Sequence, residues 1–346
     1  MTKATIKDIA KAAGVSPSTV SRALHDNPRI SEEMRQRIRD VARQMDFHPN
    51  QMARSLVKRK TRIVGIVFPG GVSKNMGNPF YPSVLQGLGH AASEMRYHLL
   101  LVTGSEAVSS LEASREAVDS GYVSGLILLA AEAAPPAETG VPTVVIGHPT
   151  DEKNCYFVDN DNVKAGCAGT RSLLAHGHRR IMFLGYDKRY MFTVDRLKGF
   201  RQALEEAGVP FRRDWVLHSR SIQSPACTDE LTGVFRAPDR PTAAVCVDDA
   251  MAIGLTSLLK GLGLTVPDDV SIVSFNNTDA GRYHTPALTS FEIDPSRLGV
   301  SAMHLMLDVL KGKVEAPCGI EVPFTLIERE SVSTIGQPIP NEDRRA

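Results

Sequence analysis

Apolar positions along the chain follow two rhythms. Up to about residue 47 they recur every three or four places, the spacing of one helix face. Ile6, Ile9, Ala10 and Ala13 make a first stripe, Val20, Ala23 and Leu24 a second, and Met34, Ile38, Val41, Ala42 and Met45 a third. Each stripe has a start signal. Thr5 suits an N-cap, with Asp8 three residues on at the positive helix end. Ser16 is the next N-cap, and Pro17 takes the first helical position, where its missing N–H costs nothing. Ser31 follows the breaker Asn27-Pro28 and caps the third helix. Gly14 supplies the backbone freedom for a sharp turn between the first two, and Val15 plugs the angle. Three short helices with a glycine turn between the first two predict a helix-turn-helix.

From residue 62 the rhythm changes to short continuous apolar runs at 62–68, 98–102, 125–129, 143–146, 180–184, 243–247 and 270–275. Such runs read as buried parallel strands. Helical stripes separate them, the first with Val84, Leu85, Leu88, Ala91, Ala92 and Met95 inward. Long strand–helix alternation means doubly wound parallel sheets. About 270 residues is too much for one sheet, so two lobes with a cleft are expected. The polar stretches Asp159-Asn160-Asp161-Asn162 and Asp294-Pro295 are candidate crossovers between them.

Composition narrows the class. With 346 residues, 42% hydrophobic and 23% charged, the chain is neither disordered nor fibrous. No window approaches the 18 or more apolar residues of a membrane span. The N-terminus lacks the apolar stretch of a secretory signal. Five cysteines without a C-x-x-C pair fit a reducing cytoplasm better than a disulfide or zinc framework. The expected location is therefore cytoplasmic. The net charge of +1 hides an asymmetry: residues 1–60 carry +7 and the remainder −6. A basic head on an acidic body points to a polyanion partner for the head, although a solvated basic face would look the same.

In a helix-turn-helix, the start of the second helix enters the DNA major groove. Here it offers Ser16, Pro17, Ser18, Thr19, Ser21 and Arg22. Small hydroxyls allow close approach, and Arg22 can pair bidentately with guanine. Residues 50–58 form a short amphipathic segment with Asn50 as its N-cap, too short to be a stable helix alone.

In the body, ligands of doubly wound sheets bind at the carboxyl ends of strands. Asp248, Asn276 and His148 fall there, Arg196 sits three residues before a helical apolar stripe, and Phe80 and Tyr81 open the first body helix. Planar polar groups beside aromatic faces suit a sugar. Each residue also has a plainer role: Asp248 as a helix cap, His148 as a surface turn residue, Phe80 and Tyr81 as core. Other signals fail. Gly87-Leu88-Gly89-His90-Ala91-Ala92 matches a dinucleotide fingerprint but lies inside a helical stripe. His176-Gly177-His178 lacks a third metal ligand at a usual spacing. Cys167 and Cys246 sit in apolar settings without a nearby His, as inert core thiols do. There is no G-x-S-x-G, and no G-x-x-x-x-G-K followed by Ser or Thr. No catalysis and no cofactor are expected.

Ile6-Lys7-Asp8-Ile9-Ala10, Ala13-Gly14-Val15-Ser16, Thr19-Val20-Ser21-Arg22, Phe47-His48-Pro49-Asn50 and Ala53-Arg54-Ser55-Leu56 resemble the headpiece of the lactose-repressor family of bacterial regulators. The likeness runs on to about residue 332. It implies a small all-α helix-turn-helix headpiece (1–48), a hinge helix (49–60) and a two-lobed α/β body of periplasmic-binding-protein type (61–332). The N-lobe would hold about 61–160 and 292–320, the C-lobe about 161–291 and 321–332, with a polar tail at 333–346. The DNA-contacting set it implies is Thr5, Ser16, Pro17, Ser18, Thr19, Ser21, Arg22, Asn50, Ala53, Arg54 and Leu56. Leu56 would be an apolar wedge in the minor groove. Arg196, in Asp195-Arg196-Leu197-Lys198-Gly199-Phe200, matches the effector-binding arginine, Phe80-Tyr81 the aromatic pair and Asp248 a polar cleft position.

One departure is Asn276, where the family pattern has an aspartate; an amide still binds hydroxyls but suits a cationic or purine ligand less. The stretches 74–81, 158–162 and 275–278 resemble the maltose and maltodextrin operon repressors. The resemblance thus implies a repressor acting as a homodimer on double-stranded, pseudo-palindromic operator DNA, with an α-glucoside effector in the cleft. A co-repressor mode, another sugar or a phosphocarrier partner stay open. A transporter's solute-binding protein would share the body but has no use for a basic headpiece.

Overall fold

The computed structural model describes residues 4–24, 26–47, 61–68, 76–104, 110–129, 140–149, 154–188, 190–219, 222 and 224–335. The chain divides into two compact units, Met1–Lys60 and Thr61–Ala346.

The first unit holds α1 (Ile6–Ala13), α2 (Pro17–Ala23) and α3 (Glu32–Gln44). Their ends are set by the residues the sequence offers. Thr5 N donates to Asp8 Oδ2 (2.9 Å) while Asp8 N donates to Thr5 Oγ1 (3.4 Å), a reciprocal capping box. Gly14, at φ +68°, ends α1 in the left-handed region. Ser16 Oγ accepts from Thr19 N at 3.2 Å, and Pro17 opens α2. Ser31 Oγ accepts from Met34 N to start α3. Ile9, Val20 and Ile38 are fully buried at the centre. Each such side chain contributes about 1.5–3 kcal/mol, so a small core suffices only because the helix ends are already satisfied. The hinge residues Asn50, Ala53, Arg54 and Leu56 lie outside the described residues.

The second unit begins with β1 (Ile63–Val67), α4 (Phe80–Glu94), β2 (His98–Val102), α5 (Ser110–Asp119), β3 (Gly125–Leu129), β4 (Thr143–Ile146) and β5 (Tyr156–Asp159). It continues through α6 (Asn162–Ala175), β6 (Ile181–Gly185), α7 (Met191–Glu206), β7 (Val216–His218), α8 (Pro225–Arg236), β8 (Ala243–Cys246), α9 (Asp249–Gly261), β9 (Ser271–Phe275), α10 (Asp279–Arg282) and β10 (Thr289–Glu292). It ends with α11 (Pro295–Leu310), β11 (Cys318–Glu321) and β12 (Thr325–Ile327).

Two six-stranded sheets result, ordered β11-β5-β4-β3-β1-β2 and β12-β10-β9-β8-β6-β7. The first is wholly parallel; in the second only β12 runs antiparallel, against β10. The expected pair of doubly wound sheets is therefore present, each with its own core. The chain passes between lobes after β5, after β10 and after β11. Asn160, buried in the first passage, donates through Nδ2 to Ile293 O (3.1 Å) in the second and Val322 O (2.9 Å) in the third.

In each lobe one pair of helices touches backbone to backbone. A Cβ on Gly199 would lie 1.9 Å from Val163 O, and one on Gly166 2.2 Å from Arg196 O. In the other lobe, a Cβ on Gly87 would lie 1.9 Å from Ser296 O and one on Gly299 2.2 Å from Val84 O. Only glycine permits these crossings. The nucleotide-like glycines at 87 and 89 accordingly lie within α4, and Gly87 serves packing. His178 is buried with Nδ1 on Thr242 Oγ1 (3.1 Å) and Nε2 on Ser333 O (3.0 Å), a structural role. Cys167 and Cys246 are buried, and burial pushes both thiols up. Past residue 332, Ser333 N donates to Ser271 Oγ (3.0 Å) and Ile335 N to His176 O (3.0 Å).

Candidate functional site

In each sheet, successive connections leave one strand in opposite directions: between β1 and β3 in the first, between β6 and β8 in the second. In open α/β sheets ligands bind outside the carboxyl ends of the strands at such points. A cleft of about 660 Å³, open solvent at its mouth included, lies there between the lobes. Phe80, Tyr81, His148, Arg196, Asp248 and Asn276 all line it. The loops after β4, β8 and β9 supply His148, Asp248 and Asn276, and the N-terminal turn of α4 supplies the aromatic pair.

Arg196 is the centre of the cleft's charge. It lies within α7, which begins at Met191, and stands three residues ahead of the buried stripe Gly199, Phe200, Ala203 and Leu204. The contact between Gly166 and the Arg196 carbonyl fixes its backbone. Its Nε donates to Asn162 Oδ1 (2.9 Å) and its Nη1 to Val247 O. The guanidinium stacks over Phe275 (4.1 Å to the ring centroid) and faces Phe192 (5.3 Å). Only 4% of the residue is exposed. Burial pulls its pKa down to about 10, opposed by Asp159, Asp248, Asp195 and Asp249, so it stays charged at neutral pH.

The carboxylates differ in how they are held. Asp248 both caps α9, accepting from Met251 N (2.8 Å), and faces the cleft, accepting from Tyr186 Oη (2.7 Å). Burial raises its pKa against those two bonds, and raises that of the Tyr186 hydroxyl beside it. Asp159 accepts from Asn160 N (2.8 Å) and Asn162 Nδ2 (3.0 Å), yet burial pushes it up to about 6. Asp249 is saturated by Ser274, Ser290 and Thr278 and fixes the 274–278 loop. His148 is not a mere surface turn residue: Nδ1 meets Asp195 Oδ2 at 2.9 Å across the cleft, joining the two lobes. Asn276 has φ +94° and Asn277 φ +43°, a strained pair that asparagine tolerates better than most residues. Asn276 N donates to Phe291 O (2.9 Å), which holds it in place. Tyr81 is 8% exposed and packs in the first lobe's core, while Phe80 stays half-buried.

Sequence reasoning missed Asn78, Asn162, Phe192 and Asp195. Phe192 and Tyr186 follow β6, so the strand-end rule applied to that strand would have found them. Asp195 adjoins Arg196, but nothing local shows that it meets His148. Among the described residues no group of three or more His, Cys, Asp or Glu is placed to hold a metal ion.

The headpiece site is an open surface. Ser16, Pro17 and Ser18 are exposed at the start of α2 and Arg22 in its last turn, with Thr19 and Ser21 half-buried. Ser16 Oγ meets Ser18 Oγ (2.8 Å) and Thr19 Oγ1 (2.9 Å), so the hydroxyls form one preset row. Thr5 is exposed and engaged in the capping box.

A helix-turn-helix joined to a two-lobed, cleft-bearing α/β body defines the class of ligand-responsive DNA-binding regulators. Residues 5–50 match the model of bacterial regulatory proteins of the lacI family, and residues 170–332 match the periplasmic binding protein-like domain. The chain is 37% identical over 280 residues to the HTH-type transcriptional regulator MalR of Streptococcus pneumoniae serotype 4, covering 80% of this chain and 84% of that one. A CelR–cellobiose complex superposes with TM-score 0.73 at 28% identity, covering 95% of this chain and 99% of that one. The lac repressor dimer bound to operator and the anti-inducer ONPF superposes with TM-score 0.81 at 21% identity, covering 96% and 100%. The chain belongs to the lacI family of bacterial regulatory proteins: it is a DNA-binding transcriptional regulator and not an enzyme. Among the described residues no helix is long and apolar enough to cross a membrane.

Proposed function

We propose that the chain is a cytoplasmic, homodimeric repressor of a sugar-utilisation operon. Its hold on a pseudo-palindromic operator is released by a maltose-type α-glucoside bound between the lobes. The observation that carries the sugar reading is the balance of groups in the cleft. One buried arginine, itself already bonded to Asn162 and Val247, sits among the lining carboxylates Asp159 and Asp248 and the lining carbonyl and amide oxygens. Acceptors outnumber free donors, so the fitting ligand brings hydroxyl donors and no negative charge. Phe80 and Phe192 offer faces for its C–H patches. The likeness to the MalR regulator and the CelR–cellobiose complex supports a glucoside.

On the DNA side, the hydroxyl row and Arg22 read one half-site, and two subunits supply two. Phe80, Tyr81 and His148 come from one lobe and Arg196, Asp248 and Asn276 from the other. A bound sugar therefore favours whichever lobe arrangement brings both sets to it, and only that difference in affinity moves operator binding. Fluorescence anisotropy on DNA upstream of the protein's own gene cluster, at fixed salt, tests this. Tight binding weakened by maltose is the expected result. Tight binding indifferent to maltose removes the α-glucoside, and no binding to that DNA or to a selected-site library removes the repressor.

A further inference from the structure

A second cavity, about 570 Å³ with its open solvent, is lined by Asp187, Lys188, His218 and Ser219. These residues close β7 or follow β6 and β7, so the cavity lies at the same carboxyl edge that bears the cleft. Tyr186 connects the two. Its carbonyl accepts from His218 Nδ1 (2.8 Å), and its hydroxyl donates to Asp248 Oδ2 (2.7 Å) in the cleft wall. Its ring meets Tyr190 (6.1 Å between centroids) and Phe192 (6.2 Å), and Phe192 also lines the cleft. Tyr186 and the half-buried rings around it thus touch the walls of both cavities.

The chemistry of the second cavity is specific. A carbonyl only accepts, so the proton of His218 sits on Nδ1 and Nε2 is an acceptor. That Nε2 is buried and has no hydrogen-bond partner among the described residues. A buried polar atom left unpaired is uncommon and calls for an explanation. Here it lacks a donor, and a hydroxyl supplies one. Asp187, Lys188 and Ser219 complete a polar lining around it.

We propose that this cavity is a second saccharide subsite, which makes the preferred effector an oligosaccharide: one end lies in the central cleft and a distal unit passes the rings to reach His218, Asp187 and Lys188. This rests on the sugar reading of the cleft.

Calorimetric titration of the full chain with maltose, maltotriose and maltotetraose tests it. Affinity is expected to rise about tenfold along the series. His218→Phe and Lys188→Ala are expected to lose that increment while binding maltose as the parent does. Lys188 is exposed, so its variant folds even where the His218 variant does not. Equal affinity for all three sugars overturns the subsite and leaves the cleft reading intact. Equal weakening of all three sugars in the Lys188 variant also overturns it. Failure of every glucoside to bind removes the cleft reading, and the subsite falls with it.

Discussion

The headpiece and the cleft are both polar recognition surfaces, yet they are built over different distances along the chain. In the headpiece the bonds that shape the site join residues two or three apart: Ser16 to Ser18 and Thr19, Thr5 to Asp8. In the cleft they span 47 residues from His148 to Asp195, 34 from Asn162 to Arg196 and 51 from Arg196 to Val247. The headpiece groups are exposed and await a partner from outside. The cleft groups are buried and already paired with one another, so a ligand there must exchange bonds. Local construction gives a site that survives alone; long-range construction makes the site an instrument for sensing how the lobes are arranged.

The sharpest way to break this contrast is to remove Arg196. Arg196→Ala leaves the surrounding carboxylates uncompensated in a buried setting, a loss of about 3–5 kcal/mol when one partner of such a set is deleted. Response to sugar is expected to vanish and the thermal midpoint of the body to fall, with operator affinity retained at temperatures where the chain is folded. Calorimetry and anisotropy on one preparation read both, and a normal sugar response would take Arg196 out of the site.

Arg22→Ala is the mirror experiment. Specific operator binding is expected to weaken by about 1–3 kcal/mol, the cost of one bidentate base contact. Sugar affinity should not move, so a change in it would show that the two sites are not built independently. A smaller effect is expected of Thr5→Ala. Losing the capping box costs about 1 kcal/mol of headpiece stability, read by circular dichroism of a 1–60 fragment against the parent fragment. If the fragment's melting is unchanged, the first helix does not depend on its local cap.

A pH dependence confined to the cleft sharpens the comparison further. Asp159 titrates near 6 in the folded chain and near 3.8 unfolded, so between those values the folded state binds the extra proton. Stability from this group therefore falls as pH rises from 4 to 6 and is flat above. Relative to Asp159→Asn, the parent's thermal midpoint should drop by a few degrees across that window; parallel curves would place the Asp159 carboxylate outside the buried cluster.

The same contrast explains what could be read in advance. Every headpiece helix was legible because its caps (Thr5, Ser16 and Ser31) lie next to what they cap. Strands β1, β2, β3, β4, β6, β8 and β9 were legible as apolar runs. Strands β5, β7, β10, β11 and β12 were not, since three or four residues such as Thr289–Glu292 or Cys318–Glu321 carry too few apolar positions to stand out. The strand-end rule delivered Asp248, Asn276 and His148 without knowing which strands were neighbours. It could not deliver the pairing of His148 with Asp195, or of Asn162 with Arg196, because those meetings exist only once two sheets are folded and joined.

One amide, Asn160, ties three passages of chain that are otherwise far apart in sequence. Mechanically that is a pin rather than a seam. Sliding one lobe along the other would break the tie, whereas turning about it need not, so rotation is the inexpensive motion left to the body. Displacement then grows with distance from the pin, as along a lever, and is least where the bonds to ligand are made. What such a body can pass onward is an angle, set at the cleft and enlarged at the lobes' outer edges.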